Sequence, residues 1–252
     1  MNLQPKHLLG LKAIFAGSER VSGSYAMRNA VIFDLFGTLI LSESDERAHE
    51  ALSQKLSALH GNVFRPEEHL SLYLKFVERG LPSLEATWLA LKELLKKYGI
   101  KSAVTKEELS RMHVESHAKY ATLREDGLGA LRLARTHARK VGLLSDGDKV
   151  IVHAIVDALK IRHFFDAIVT FDDCMAKKPD PRLFRACLTK LGVPASEAVM
   201  IGDRCVDVEG AKRAGMTAVL LGGWRECKVP PDYVTESLLD AVRFSLNWSL
   251  PK

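Results

Sequence analysis

The chain is predicted to fold as a doubly wound α/β sheet with a helical insertion after its first strand, and three observations carry that expectation. Val31-Ile32-Phe33 is a short apolar run closed by Asp34, with Gly37-Thr38 turning the backbone just beyond. From residue 128 onward, short apolar stretches alternate with segments of helical period. Between these regions, roughly residues 43–125, apolar positions recur near every 3.6 residues with no strand signal. Single apolar strands separated by helices make a parallel sheet covered on both faces, because each strand must bury both of its sides.

The elements follow in order. Leu8-Leu9-Gly10-Leu11 and Ala13-Ile14-Phe15-Ala16 resemble the apolar part of a signal peptide, but Lys12 interrupts them and no clean cleavage site follows. Residues 1–26 are therefore read as an N-terminal extension before Met27. Ala48, Leu52, Leu56 and Leu59 set a helix over 46–59, and helices over 70–77, 84–98 and 107–123 follow. Gly61-Asn62, Gly80-Leu81-Pro82 and Gly99-Ile100 break the chain between them. Helix 128–138 then leads to strand 141–144, helix 148–159 to strand 167–169, helix 181–191 to strand 198–201, and helix 206–214 to strand 218–221. Residues 232–234 are expected as a last short strand before a C-terminal helix from Ser237. With the strand at 31–33 added, the sheet is Rossmann-like.

Composition excludes several classes. The chain has 252 residues, 47% hydrophobic and 27% charged, which suits one domain with a large insertion or two small domains. The net charge is +5, and the densest basic stretch, Arg132, Arg135, Arg139 and Lys140, reads as a solvated helix face, so no nucleic-acid partner is expected. No apolar run is long enough to span a membrane. Cys174, Cys187, Cys205 and Cys227 form no C-x-x-C and no close pair, so neither a zinc site nor a disulfide scaffold is expected. Reduced cysteines make the cytoplasm the natural compartment.

Four constellations stand at predicted strand ends, where open parallel sheets bind ligands. They are Asp34, Ser145-Asp146-Gly147, Lys177-Lys178-Pro179-Asp180-Pro181, and Gly202-Asp203 with Asp207 four residues on. Each has a plain structural reading: a turn-capping Asp, a helix-capping Ser, a helix start at Pro181, and a capped helix with a surface Asp207. Together they deliver a carboxylate, a hydroxyl, an ammonium and two more carboxylates to one sheet edge. That inventory suits phosphoryl transfer, which needs a nucleophile, anion donors and a site for a hard cation.

These motifs resemble the haloacid dehalogenase (HAD) superfamily of hydrolases. The likeness covers about residues 30–40 and 127–240 and includes the Glu209-Gly210-Ala211-Lys212-Arg213-Ala214-Gly215-Met216 run after Asp207. The resemblance implies an α/β core of residues 27–42 and 127–252, with residues 43–126 as a helical type-1 cap over the site. It implies Asp34 as the nucleophile that forms an aspartyl-phosphate, Ser145 as holder of a phosphoryl oxygen, and Lys178 as partner of both. Thr38, Asp146 and Gly147 would contribute to phosphate binding. Mg2+ would be held by Asp34, Asp203, Asp207 and the main-chain carbonyl of Phe36. The substrate would be a small phosphate ester or anhydride.

Phe36 departs from the family pattern. Its phosphatases carry a second Asp at that position as general acid and base, a role an aromatic ring cannot fill and that is worth about 10²–10⁴-fold. Members that release halide also lack that Asp, so Phe36 pulls toward a 2-haloacid dehalogenase, for which Arg65 is a loose candidate halide receiver. Asp203 and Asp207 pull back toward a metal site, since paired acids without a cation repel. A binding module of the same fold is a third reading. A proton for the leaving group is sought from Glu43, Asp45 or His49, whose plain reading is a solvated first helical turn. His113 and His117, four apart without an intervening H-E-x-x-H acid, are expected at the surface. Trp88 and Tyr73 are expected to pack, and Trp224 to pack or edge the site.

Overall fold

A computed structural model describes residues 30–223 and 226–247. The expectations for residues 1–26 and for Trp224 fall outside the described residues. Six strands form one parallel sheet: β1 (Ala30–Phe33), β2 (Lys140–Leu144), β3 (Ala167–Val169), β4 (Ala198–Gly202), β5 (Thr217–Leu221) and β6 (Tyr233–Thr235). The spatial order is β3-β2-β1-β4-β5-β6. The order reverses at β1, so the crevice outside the carboxyl ends of β1 and β4 is a topological switch point.

Strand side chains alternate between two cores, as period-2 geometry requires. Val31, Phe33, Val141, Leu143, Val199 and Ile201 face α5 (Gly127–His137), α6 (Lys149–Ala158) and α10 (Leu238–Ser245). Ile32, Met200, Ala218 and Leu220 face α8 (Pro181–Leu191) and α9 (Cys205–Arg213). Burial of both strand faces explains why the strands read as unbroken apolar runs. A single helical turn, α7 (Phe171–Cys174), precedes α8 and was not expected.

Between β1 and β2 lie α1 (Ser42–Leu59), α2 (Pro66–Glu78), α3 (Ser83–Tyr98) and α4 (Lys106–Tyr120), around a core of Leu52, Leu56, Phe64, Leu91, Leu94 and Leu109. Two starts come four residues earlier than predicted. Pro66 occupies the first turn of α2, where its missing N–H costs nothing, and Glu68 accepts the N–H of Arg65 at 3.0 Å. Helix α1 begins at Ser42 rather than residue 46.

The predicted helix over 107–123 ends at Tyr120, because the two connections to the sheet pair with each other. Leu41 N–H donates to Thr122 O at 3.0 Å, and Arg124 N–H to Leu39 O at 2.9 Å. The insertion also docks on the sheet unit directly. Asp148 accepts the N–H of Leu84 at the start of α3 (3.1 Å), and Lys177 Nζ donates to Leu81 O (2.8 Å).

One cysteine expectation is overturned. Cys205 and Cys227 form a disulfide, with Cα atoms 5.3 Å apart, while Cys174 and Cys187 are free. Their separation of 22 residues carries no motif, and only the return of the chain after β5 beside the start of α9 brings them together. Among the described residues no helix is long and apolar enough to cross a membrane.

Candidate active site

The sheet fixes each strand-end residue by extending its own ladder. Asp34 N–H donates to Ile201 O, and Ser145 N–H donates to Val169 O, both at 2.9 Å. Asp34 and Ser145 are thereby held one residue past β1 and β2, and both are buried. The chain then turns at Gly37, whose φ is +78° and whose N–H donates to Ile40 O at 2.9 Å. A Cβ on Gly37 would run into the Asp203 carboxylate, so glycine is needed both for its φ and for the close approach. Thr38 Oγ1 lies 3.4 Å from Asp34 Oδ2 and 3.2 Å from Asp203 Oδ1, tying the first motif to the fourth.

Lys178 comes from the loop between α7 and α8. Its N–H donates to Asp146 Oδ1 at 2.7 Å, and Asp146 Oδ2 accepts from Arg204 at 3.0 Å. Asp146 therefore positions two neighbouring cations with its carboxylate. Lys178 Nζ pairs with Asp34 and stands 2.6 Å from Asp207 Oδ1. The second approach is an ion-pair contact too oblique for a hydrogen bond, so Asp207 Oδ1 is buried without a hydrogen-bond donor. Asp207 Oδ2 accepts Arg204 N–H at 3.0 Å, which anchors the start of α9. Ser145 Oγ accepts Gly147 N–H at 3.2 Å.

Charge at this point is unbalanced. One oxygen each from Asp34, Asp203 and Asp207 lies within 4.8 Å of the others. With Asp146 and Arg204 included, four carboxylates face two cations, a formal surplus of two negative charges when Asp34 is ionised. Burial pushes the Asp34 carboxyl up to about 7, with Lys178 pulling it down and Asp207 pushing it further up. Burial pushes the Lys178 ammonium down, but Asp207 and Asp34 outweigh it and hold it above the ordinary lysine range. A hard dication fits this oxygen-only donor set and the surplus charge.

A cavity of about 480 Å³ opens between the sheet edge and the helical insertion, lined among others by Phe36, Asp45, His117, Lys178, Asp203 and Arg204. All nine residues proposed from the sequence therefore gather at this edge: Asp34, Phe36, Thr38, Ser145, Asp146, Gly147, Lys178, Asp203 and Asp207. The Phe36 ring packs against Gly147 and stands edge-on to His117, with centroids 6.5 Å apart. Arg204 and Lys177 also line the cavity and were not singled out as ligand-facing groups. Their position beside Asp203 and Lys178 in strand-end loops was the signal available.

Other expectations are corrected. The Arg65 side chain is 80% exposed and lines a separate hollow of equal volume with Glu68, Leu94 and Lys97, away from every strand end. His113 and His117 are 0% and 3% exposed, and His49 is 6% exposed; none is a surface residue. Burial drives the His49 imidazole down to about 4 and His113 well below its usual value, so both are neutral. Asp45 is not merely solvated, since its Oδ1 lies 3.0 Å from His117 Nε2. Glu43 is exposed. Tyr73 is buried as expected, and Trp88 packs against the core of the insertion.

The family description "haloacid dehalogenase-like hydrolase" matches residues 29–215. The chain is 28% identical over 218 residues to a phosphoglycolate phosphatase of Pseudomonas savastanoi pv. phaseolicola, covering 84% of this chain and 73% of that protein. It is 27% identical over 226 residues to the pyrophosphatase PpaX of Bacillus velezensis, covering 86% and 95%. Among solved structures, a HAD phosphatase from Thermococcus onnurineus superposes with a TM-score of 0.65 at 28% identity, covering 86% and 97%. The L-2-haloacid dehalogenase of Xanthobacter autotrophicus superposes with 0.63 at 20% identity over 86% and 98%, a likeness of fold alone.

Proposed function

Because the chain belongs to the haloacid dehalogenase-like hydrolases, we propose that it is a Mg2+-dependent phosphatase that acts on a small phosphorylated metabolite through an aspartyl-phosphate at Asp34. The observation that carries this reading is the convergence of Asp34, Asp203, Asp207 and Lys178 on one sheet edge with two negative charges in surplus. The phosphatase names of the curated relatives support the same class. Residues 43–126 act as the cap that closes over this edge.

Lys178, Thr38, Ser145 and the backbone at Asp146 and Gly147 hold the phosphoryl oxygens and orient phosphorus toward Asp34. An Asp34 carboxylate oxygen attacks phosphorus, and the bond to the leaving oxygen breaks with its electron pair on that oxygen. Water then hydrolyses the acyl phosphate, which releases phosphate and restores Asp34. Mg2+ held by Asp34, Asp203, Asp207 and the Phe36 carbonyl would neutralise charge on the transferring group.

Phe36 supplies no proton, so leaving groups that depart without one, aryl and acyl phosphates, are the preferred substrates. Phe36 also favours a second reading, a metal-independent 2-haloacid dehalogenase, against which stands the remote, exposed Arg65. A substrate panel run with Mg2+ and with EDTA, scored separately for phosphate and halide, tests the choice. Phosphate release that EDTA abolishes supports the phosphatase; chloride from 2-chloropropionate that persists in EDTA overturns it. Binding of phosphate analogues without any turnover would make the chain a binding module. The compartment proposed is the cytoplasm, where the 205–227 pair would stand reduced.

A further inference from the structure

We propose that Asp45, His49, His113 and His117 form a second metal site, distinct from the carboxylate cluster, that takes one borderline transition-metal dication of the zinc or cobalt class. The inference does not depend on the phosphatase reading. Asp45 and His49 are four residues apart on α1, His113 and His117 four apart on α4, and the two helices pack together. Residues at that spacing share a helix face, so the two pairs face each other, and Asp45 joins the three histidines through its contact with His117. One ring nitrogen from each histidine lies within 4.8 Å of the others.

The hydrogen bonds decide which nitrogen is free. His117 Nδ1 is 3.0 Å from the carbonyl of His113, which can only accept, so the proton of a neutral His117 sits on Nδ1. With that tautomer its Nε2 lone pair faces Asp45 Oδ1 at 3.0 Å, two acceptors in conflict unless a metal ion or a proton on Nε2 joins them. Ligands about 2.0–2.1 Å from one tetrahedral ion stand roughly 3.3 Å apart. A cation between these atoms resolves the conflict.

His113 repeats the pattern. Thr87 Oγ1 spends its proton on Ser83 O at 2.8 Å, so at 3.3 Å it accepts from His113 Nδ1 and leaves Nε2 with the lone pair. Fixing Nδ1–H by a carbonyl or hydroxyl is how proteins orient metal-binding imidazoles.

The competing structure is a polar network around Ser83. Its Oγ lies 3.5 Å from His49 Nε2, 3.4 Å from His113 Nε2 and 3.1 Å from Tyr73 Oη. One hydroxyl proton cannot serve three such partners, and the histidine contacts are at the weak limit of hydrogen bonding. His49 Nδ1, in a side chain more than nine-tenths buried, has no hydrogen-bond partner among the described residues. Asp45 and His117 line the cavity, which gives an ion a path from water.

The test titrates Co2+ into the full chain in saturating Mg2+, which occupies the carboxylate cluster, and follows the ligand-field absorption of tetrahedral cobalt. One equivalent per chain is expected, displaced by Zn2+. His113→Gln should abolish the band, and Thr87→Val should weaken binding about 10–100-fold, as loss of a group that orients a ligand does. Circular dichroism checks that each variant folds; should His113→Gln not fold, Thr87→Val and His49→Gln carry the test. Asp203→Asn should keep the band. Absence of the band in the native chain, its survival in both His113→Gln and Thr87→Val, or its loss in Asp203→Asn overturns the proposal. A folded chain that binds no cobalt identifies an imidazolium–carboxylate pair instead.

Discussion

At position 36 an aromatic ring packs against Gly147 and stands edge-on to His117, and under the proposed function it takes the position of the general acid. Phe36→Asp is therefore expected to raise kcat/KM on a sugar phosphate by about 10²–10⁴-fold while changing p-nitrophenyl phosphate hydrolysis little, because nitrophenolate needs no proton. Steady-state kinetics on the two substrates check it, and equal native rates on both would contradict the argument. Gly37 sets a second constraint. Its φ of +78° and the Asp203 carboxylate against its missing Cβ make Gly37→Ala both strained and displacing. Strain of order 1–3 kcal/mol and a large loss of Mg2+ affinity are expected, read by thermal melting and by calorimetry. Asp34, Ser145 and Asp203 were legible as candidates because each follows a strand's apolar run, and Lys178 and Asp207 were legible only from the motifs around them. Arg204 was as legible and was passed over. His113 and His117 were misjudged for want of a motif, although they stand four and eight residues past buried Leu109 and continue its stripe.

At the level of elements, the long helices were legible by their 3.6-residue period and the strands as short unbroken apolar runs, because their sheet is buried on both faces. The ends were not, where a distant partner decides them. Helix α4 stops at Tyr120 because residues 122–124 pair with 39–41, a contact no local pattern announces. The disulfide between the start of α9 and the chain after β5 was illegible for the same reason. The insertion also carries its own pH dependence. His69 on α2 is buried between Ser53 Oγ (2.8 Å) and Thr87 O (3.2 Å), and burial lowers its pKa to about 4. The unfolded chain takes up that proton near pH 6.5 and the folded chain only near 4, so stability is full above 6.5 and falls as pH drops toward 4. The loss from this residue is about 3 kcal/mol. His49 and His113, also lowered by burial, act over the same range, so His69→Gln should reduce the slope of urea unfolding between pH 7 and 4 only in part, and the difference from the native chain measures this residue.

Over the whole molecule, the sheet delivers surplus negative charge to one edge, and the four-helix insertion docks beside it through contacts such as Asp148 to Leu84 and Lys177 to Leu81. Mg2+ should therefore stabilise the fold as a ligand of the native state, by about 2.7 kcal/mol at one hundred times its dissociation constant. Asp203→Asn should remove most of that gain in melting temperature. The net charge of +5 does not report this local excess, which is why composition gave no hint of it. The most direct measurement of the central claim is acid quenching during turnover, followed by peptide mass analysis. The account predicts one phosphoryl group on the peptide containing Asp34, formed with Mg2+, absent in EDTA and absent in Asp34→Asn. Sustained phosphate release by the Asp34→Asn variant, or turnover in the native chain with the adduct on another residue, would contradict it.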